Sequence, residues 1–232
     1  FYYQGRIIEN IRISNTVDAY AVNGWESMKL ENHSGIVDNY RFPKGDPEVM
    51  ARYNAPLYLA VKMNRKVVST GDTTLVDTYI VNEKNLKGSY ILNLVAKDES
   101  GNVVASHKER VTVKGGNDYG QCLQSGWAFI PKSKGYTRIE ASLLKGKTEL
   151  VKGDDLLFAV ELNTKGITTR GSVADTTGAL VNFLRGVGME VPVYKGGTPE
   201  GDYLLVGAYE PTQWGSGMSD IMEWAYKGHT LI

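Results

Sequence analysis

A single cysteine, Cys122, is the only thiol in this chain of 232 residues. No intrachain disulfide can form, and no C-x-x-C pair exists to hold zinc or run redox exchange. Cys122 reads as a small buried hydrophobe, with no histidine nearby in sequence to activate it. Charge of one sign is also lacking. Lys+Arg and Asp+Glu both total 26, so the chain has neither the cationic footprint of a nucleic-acid binder nor a polybasic membrane-surface patch. No apolar run reaches about 18 residues, so no transmembrane helix is expected. The opening residues "FYYQGRIIEN" lack a basic segment followed by an apolar core and do not read as a signal peptide. The three histidines, His33, His107 and His229, share no metal-ligand spacing. There is no G-x-S-x-G elbow. The glycine-rich stretches "KGGTPEGD" and "WGSGMSD" match no phosphate loop, although the second precedes a helix whose start could take an anion or simply be capped. No metal and no cofactor is expected.

What is present is a change of rhythm along the chain. Tyr3, Ile7, Ile8 and Ile11 recur at helical spacing and predict a helix over 2–14. Residues 17–22 are a short apolar run, typical of a strand buried on both faces. Helix, short loop, buried strand is the rhythm of a parallel α/β protein. From Glu26 to Asn54 periodicity fades, although "DPEVMARYN" can carry a turn or two of helix. "PLYLAVKM", "TTLVDTYIVNE", "GSYILNLVAKD" and "VVASHKERVTVKG" then read as strands, with "TGDT" and "DESGN" as turns. They predict an antiparallel sandwich of immunoglobulin type over 55–115, with Tyr79, Val81, Tyr90, Leu92 and Leu94 in its core. Residues 116–170 continue as a β-rich segment. From 171 to 232 the period turns helical again: Leu180, Phe183, Leu184 and Val187 fall at i, i+3, i+4, i+7, and Gly188 can end that helix. With "VPVY", "YLLVGAY", "SDIMEWAYKG" and "HTLI" this makes a partial α/β unit.

The first apolar run ends in Asn23-Gly24-Trp25-Glu26. At the carboxyl end of a barrel strand such residues line an active site. The Trp25 ring can offer its face to a sugar, or can pack beneath the next loop. Glu26 is either a solvated loop carboxylate or an acceptor for a ligand hydroxyl. "ENHS" at 31–34 and Asp38-Asn39 could bind hydroxyls or cap their own loop.

The combination "VDAYAVNGWE", "ENHSGIVDNYRFPKGDPE" and "YNAPLYLAVK" resembles the end of the catalytic barrel of glycoside hydrolase family 2-like enzymes, the β-galactosidase, β-mannosidase and β-glucuronidase group. The resemblance spans roughly 50 residues. It implies that residues 1–54 are the end of a (β/α)8 barrel, with 17–25 strand eight and 2–14 the helix before it. Trp25 would floor the sugar subsite, and Asn23, Trp25 and Glu26 are the candidate substrate-binding residues. Gly35-Ile36-Val37-Asp38, Arg41, Pro43 and Lys44 match the segment that leaves the barrel. An immunoglobulin-like sandwich and accessory modules would follow. The resemblance also implies that both catalytic glutamates lie before Phe1. Retaining hydrolysis needs two carboxyl groups about 5–5.5 Å apart, and Glu26 alone cannot supply them.

The expectation is therefore a mixed, mainly β chain that is a C-terminal piece of a larger glycosidase. Its partner would be carbohydrate, its setting periplasmic or extracellular, and exposed barrel residues (Val17, Ala19, Ala21 and Val22) would favour self-association. Two other readings stay open. One is a stand-alone carbohydrate-binding or adhesion module using Trp127, Tyr136 or Tyr119 as platforms. The other is a small-molecule enzyme on 174–232.

Overall fold

The computed structural model describes residues 1–17, 19–21, 35–161, 170–208 and 217–232. The chain is mainly β and divides into two compact units, Phe1–Glu161 and Leu162–Ile232.

The first unit opens with helix α1, Tyr2–Ser14, which ends at Asn15 in the left-handed conformation. A hairpin over 36–44 follows. Helix α2, Pro47–Tyr53, is started by Asp46, whose carboxylate accepts from the Glu48 amide, with proline at the first helical position. Eight strands come next: β1 Leu57–Met63, β2 Val67–Ser69, β3 Thr74–Asn82, β4 Gly88–Lys97, β5 Val103–Val113, β6 Gly120–Phe129, β7 Gly135–Lys145 and β8 Thr148–Val160. They form one sheet ordered β1-β3-β6 and another ordered β2-β8-β7-β4-β5. Every pairing is antiparallel except the short β2, which runs parallel to β8.

The two sheets enclose a common apolar core. Leu59, Val61, Val76 and Ile80 come from the first sheet, and Leu92, Leu94, Ala96, Ile139, Leu143 and Leu157 from the second. Along β4 alternate residues are buried, as a half-exposed strand requires. At the middle of β8 the sheets approach so closely that only glycine fits: a Cβ on Gly153 would lie 1.8 Å from the Leu59 carbonyl oxygen. Val81, Tyr90, Leu92 and Leu94 are buried as expected, while Tyr79 is half-buried. The boundary expected between 115 and 116 runs through this assembly. β6 hydrogen-bonds to β3, and β7 lies between β4 and β8, so both sheets need residues 120–160.

Helix α1 covers the outer face of the three-stranded sheet. There Ile8, Met50, Tyr53, Tyr58, Ala60 and Val81 make a second apolar cluster. This explains the unbroken apolar run of β1: Leu59 and Val61 face the sandwich core, and Tyr58 and Ala60 face the helices. The face that α1 buries differs from the expected stripe. Gly5, Ile8, Glu9 and Arg12 point inward, while Tyr3 is 81% and Ile7 60% exposed. Gly5 is needed for this approach, since a Cβ there would meet the Tyr53 ring at 2.1 Å.

Much of the contact is therefore polar. Glu9 accepts from the Tyr58 hydroxyl at 2.7 Å and pairs with Lys62 at 3.2 Å and Arg6 at 3.0 Å. The other guanidinium nitrogen of Arg6 reaches Asp155 on β8 at 2.9 Å and the Val61 carbonyl at 2.9 Å. Asp155 also takes Lys66 and the Tyr2 hydroxyl, each at 2.7 Å. Farther along, Arg12 donates to the Tyr53 and Ala55 carbonyls and to Glu83. The Asn15 amide group exchanges two hydrogen bonds with the Gly120 backbone.

Burial, then the Asp155 hydrogen bond, pushes the Tyr2 hydroxyl above its ordinary 10.0. Burial, then the Glu9 charge, does the same to Tyr58. A phenol whose folded-state value is raised contributes stability that is complete below pH 10 and is lost as pH rises further. Lys62, lowered chiefly by burial, acts in the opposite sense. We expect alkaline difference spectroscopy to show the exposed tyrosines ionising first, with Tyr2 and Tyr58 ionising only as the unit unfolds. Equal ionisation of both with the rest, in the folded state, would contradict this packing.

The described residues of the segment expected as a strand at 17–22 are not in one. Val17 and Ala19–Ala21 form no strand and are exposed; Asp18 and Val22 lie outside the described residues. A strand exists only with ladder partners, and none of the described strands pairs with this segment.

The second unit is a small parallel sheet. β9 Gly171–Ala174, helix α3 Ala179–Gly186, β10 Tyr203–Val206, helix α4 Gly217–Tyr226 and β11 Thr230–Leu231 succeed one another, with strand order β11-β10-β9. "VPVY" contributes only a parallel bridge, Val193 to Val173. Ala174, Leu204, Ile221 and Trp224 form the core. Helix α3 ends two residues before Gly188, which has φ of 80°.

Candidate functional site

The three residues expected to touch a sugar, Asn23, Trp25 and Glu26, lie outside the described residues, as do "ENHS" and His33. The elements on either side of them are described. Helix α1 leads in, and the 35–44 segment leads out. Gly35 turns the chain at φ of 86°. Val37 then bridges Pro43, and the Asp38 and Phe42 backbones pair at 2.9 Å. The Asp38 carboxylate accepts from the Tyr40 and Phe42 amides. Asp38 therefore caps its own turn, the second of the two roles open to it.

Beside residues 17–20 the first unit has a cleft of about 560 Å³, lined in part by Arg12, Asn15, Tyr20, Glu83 and Tyr119. Arg12 is buried and its guanidinium is held by two carbonyls. It fixes one oxygen of Glu83 at 2.7 Å and leaves that side chain 42% exposed. The Tyr20 hydroxyl donates to Asn54 at 2.5 Å, and Tyr119 is half exposed. Such a lining can hydrogen-bond hydroxyl groups and pack against a ring. Among the described residues of this lining no nucleophile stands beside a base. Arg12 and Glu83 escaped the sequence reading because each looks like an ordinary surface charge; only the 71 residues between them, closed by the fold, bring them together.

The other candidates are dispersed. Trp127 on β6 is half-buried, stacked on His107 with ring centres 6.2 Å apart. Tyr136 on β7 is 52% exposed against Phe158. These two sit in different sheets and do not make one platform. Cys122, expected to be buried, is exposed on β6. Partial desolvation, followed by Asp77, pushes its thiol above the ordinary range, which disfavours the reactive thiolate. In the second unit, a cleft of about 480 Å³ lies beside Arg170, Ser172, Tyr194 and Lys195. Another of about 450 Å³ lies between Val173 and Leu184. His229 stacks on Trp224 at 4.4 Å. No group of three or more His, Cys, Asp or Glu could hold a metal among the described residues. Among the same residues no helix is long and apolar enough to cross a membrane.

No family model and no curated protein matches this chain. Solved structures similar to it include members of glycoside hydrolase family 2. One, from Bacteroides cellulosilyticus DSM 14838, is 14% identical with a TM-score of 0.36, over 76% of this chain and 26% of that one. A β-glucuronidase of the same family is 15% identical with a TM-score of 0.36, over 69% of this chain and 19% of that one. A CARDB domain from Pyrococcus furiosus is 15% identical with a TM-score of 0.31, over 45% of this chain and 87% of that one. The chain spans about a quarter of the length of the first of these.

Proposed function

We propose that this chain is the C-terminal part of a family 2-like glycoside hydrolase that cleaves O-glycosidic bonds in oligo- or polysaccharides, of periplasmic or extracellular setting. Residues 1–54 are the end of its catalytic barrel. The two-sheet unit is its immunoglobulin-like sandwich, and residues 171–232 belong to an accessory α/β module. Asn23, Trp25 and Glu26 form one edge of the sugar site, and carbohydrate is the ligand. The observation that carries this reading is the order of parts: a helix, the Trp25 segment, a self-capped "GIVDNYRFPK" hairpin, then a β-sandwich. Exposed Tyr3, Ile7, Val17 and Tyr20 give the isolated chain a surface for self-association, which light scattering reads directly.

Two assays test the reading. The 232-residue chain should hydrolyse no aryl glycoside, because a ring face orients substrate but supplies neither proton nor nucleophile. Turnover that disappears in Glu26→Gln would overturn the placement of the catalytic carboxylates. In the full-length parent, Trp25→Ala should cost about 1–3 kcal/mol of transition-state binding, roughly tenfold to over a hundredfold in kcat/KM. An unchanged kcat/KM would make Trp25 a packing residue.

A non-catalytic carbohydrate-binding module is the second reading. The polar, tyrosine-bearing cleft beside Arg12 and Glu83 supports it. Oligosaccharide binding by the isolated chain, lost in Tyr119→Ala, would favour it over the first.

A further inference from the structure

Three oxygen atoms inside the sandwich are buried with no hydrogen-bond partner among the described residues: the Thr78 hydroxyl on β3, Gln124 Oε1 on β6 and Glu109 Oε1 on β5. Strand register brings them to one place. Thr78 is fully buried and alternates with the core residues Val76 and Ile80, so it faces the other sheet. Gln124 lies directly opposite Thr78, at an irregularity of the β3–β6 ladder. Glu109 stands opposite Leu92, also a core residue, and points inward with it. β5 and β6 are edge strands of different sheets, and no described ladder joins them. Side chains fix their level instead. Gln121 spans to the Thr112 carbonyl and the Lys114 amide, and Trp127 stacks on His107. Gln124 and Glu109 lie between these two anchors, each on its own strand. The Thr78 hydroxyl is a donor as well as an acceptor, yet it bonds neither of the other two oxygens.

We propose that Thr78, Gln124 and Glu109 bind an alkali-metal cation, sodium or potassium, between the edges of β5 and β6. A buried acceptor without a donor is destabilising, and a carboxylate oxygen most of all. The nearest cationic side chains do not relieve it. Lys108 and Arg110, the neighbours of Glu109 on β5, are exposed on the opposite face. His107 Nε2 stands 3.7 Å from Glu109 Oε1, beyond hydrogen-bond reach. The ligand types decide the class of ion. A hydroxyl, an amide carbonyl and a carboxylate are hard oxygen donors, which suit cations that prefer oxygen. One carboxylate balances one positive charge, and among the described residues no group of three or more His, Cys, Asp or Glu could hold a metal. A divalent ion therefore lacks the negative charge it needs here. The His107 and Glu109 side chains are 37% and 35% exposed, which gives the ion an entry path and water for its remaining positions. The bound ion ties the two sheets along a border that no described backbone ladder closes. This inference is independent of the sugar reading.

Hydrogen exchange on the 232-residue chain, at fixed pH in about 0.3 M sodium, potassium or choline chloride, tests the site. An ion that binds only the folded unit raises the folding equilibrium constant by the factor 1 + [ion]/Kd, and the slowest amides report that factor. We expect the slowest β3 and β6 amides to gain at least about threefold protection in sodium or potassium over choline, rising with ion concentration at constant ionic strength. The β9 and β10 amides, in the other compact unit, report any general effect of the salt and should gain nothing. Glu109→Gln and Thr78→Val should each abolish the gain. Glu140→Gln, which removes the partner of Lys97 on β4, should preserve it. Equal protection in all three salts would overturn the proposal and assign the three oxygens to a buried water or a turned Gln124 amide. So would an equal gain in β9 and β10, or a gain that survives Glu109→Gln. The wild-type comparison between the two units decides by itself if neither variant folds.

Discussion

Replacing Glu9 by alanine is expected to destabilise the Phe1–Glu161 unit by about 3–5 kcal/mol, the usual cost of removing one partner from a buried ion pair. Glu9 is fully buried. Its carboxylate takes the Tyr58 hydroxyl, Lys62 and Arg6. Truncation leaves a phenol, an ammonium and part of a guanidinium without their acceptor, the Tyr58 phenol buried and the Lys62 side chain only 25% exposed. Alanine is the better helix former, but that gain is at most about 0.7 kcal/mol, far below the loss. Urea unfolding read in this unit should give a lower midpoint with an unchanged slope. A loss under about 1 kcal/mol would mean that α1 contributes little to the unit or that Asp155 takes over the freed cations.

Leu92→Ala should cost about 2–5 kcal/mol through lost burial and the cavity left behind. Leu92 is fully buried at the middle of β4, opposite Leu143 on β7 and Glu109 on β5. The five-stranded sheet places β4 between two full-length neighbours, so the surrounding backbone cannot collapse easily into the gap. The same urea experiment reads the effect. A change below about 0.5 kcal/mol would place Leu92 at the surface and break the period-two assignment of the strand.

What could be read in advance follows a physical divide. Strand β4 was legible because one face is buried and one is not, so its side chains alternate. Helix α2 was legible through Asp46-Pro47-Glu48, a start signal written in three residues. Helix α1 was found, but its orientation was not. Periodicity counts apolar residues, and here the inward face carries Glu9 and Arg12 while Tyr3 and Ile7 face out. The membership of residues 120–160 in the same two sheets was invisible, because pairing such as Tyr79 with Cys122 or Leu92 with Leu143 leaves no local mark. The candidate site divides likewise. The self-capping of Asp38 follows from its own turn, whereas the Arg12–Glu83 pair depends on closure over a long loop.

The position of Asp155 has a consequence for how the chain acquires its structure. Tyr2 and Asp155 are 153 residues apart, and β8 is the last strand of its unit. Within this unit α1 is made before its ionic partners, and those on β1 and β8 arrive at opposite ends of the interval. Contacts that close long loops are slow to form. Helix α1 is therefore among the last elements of this unit to be fixed. Until Asp155 arrives, Arg6 lacks one of its two carboxylates, and a nascent chain stopped before residue 155 should carry α1 undocked at its N-terminal half.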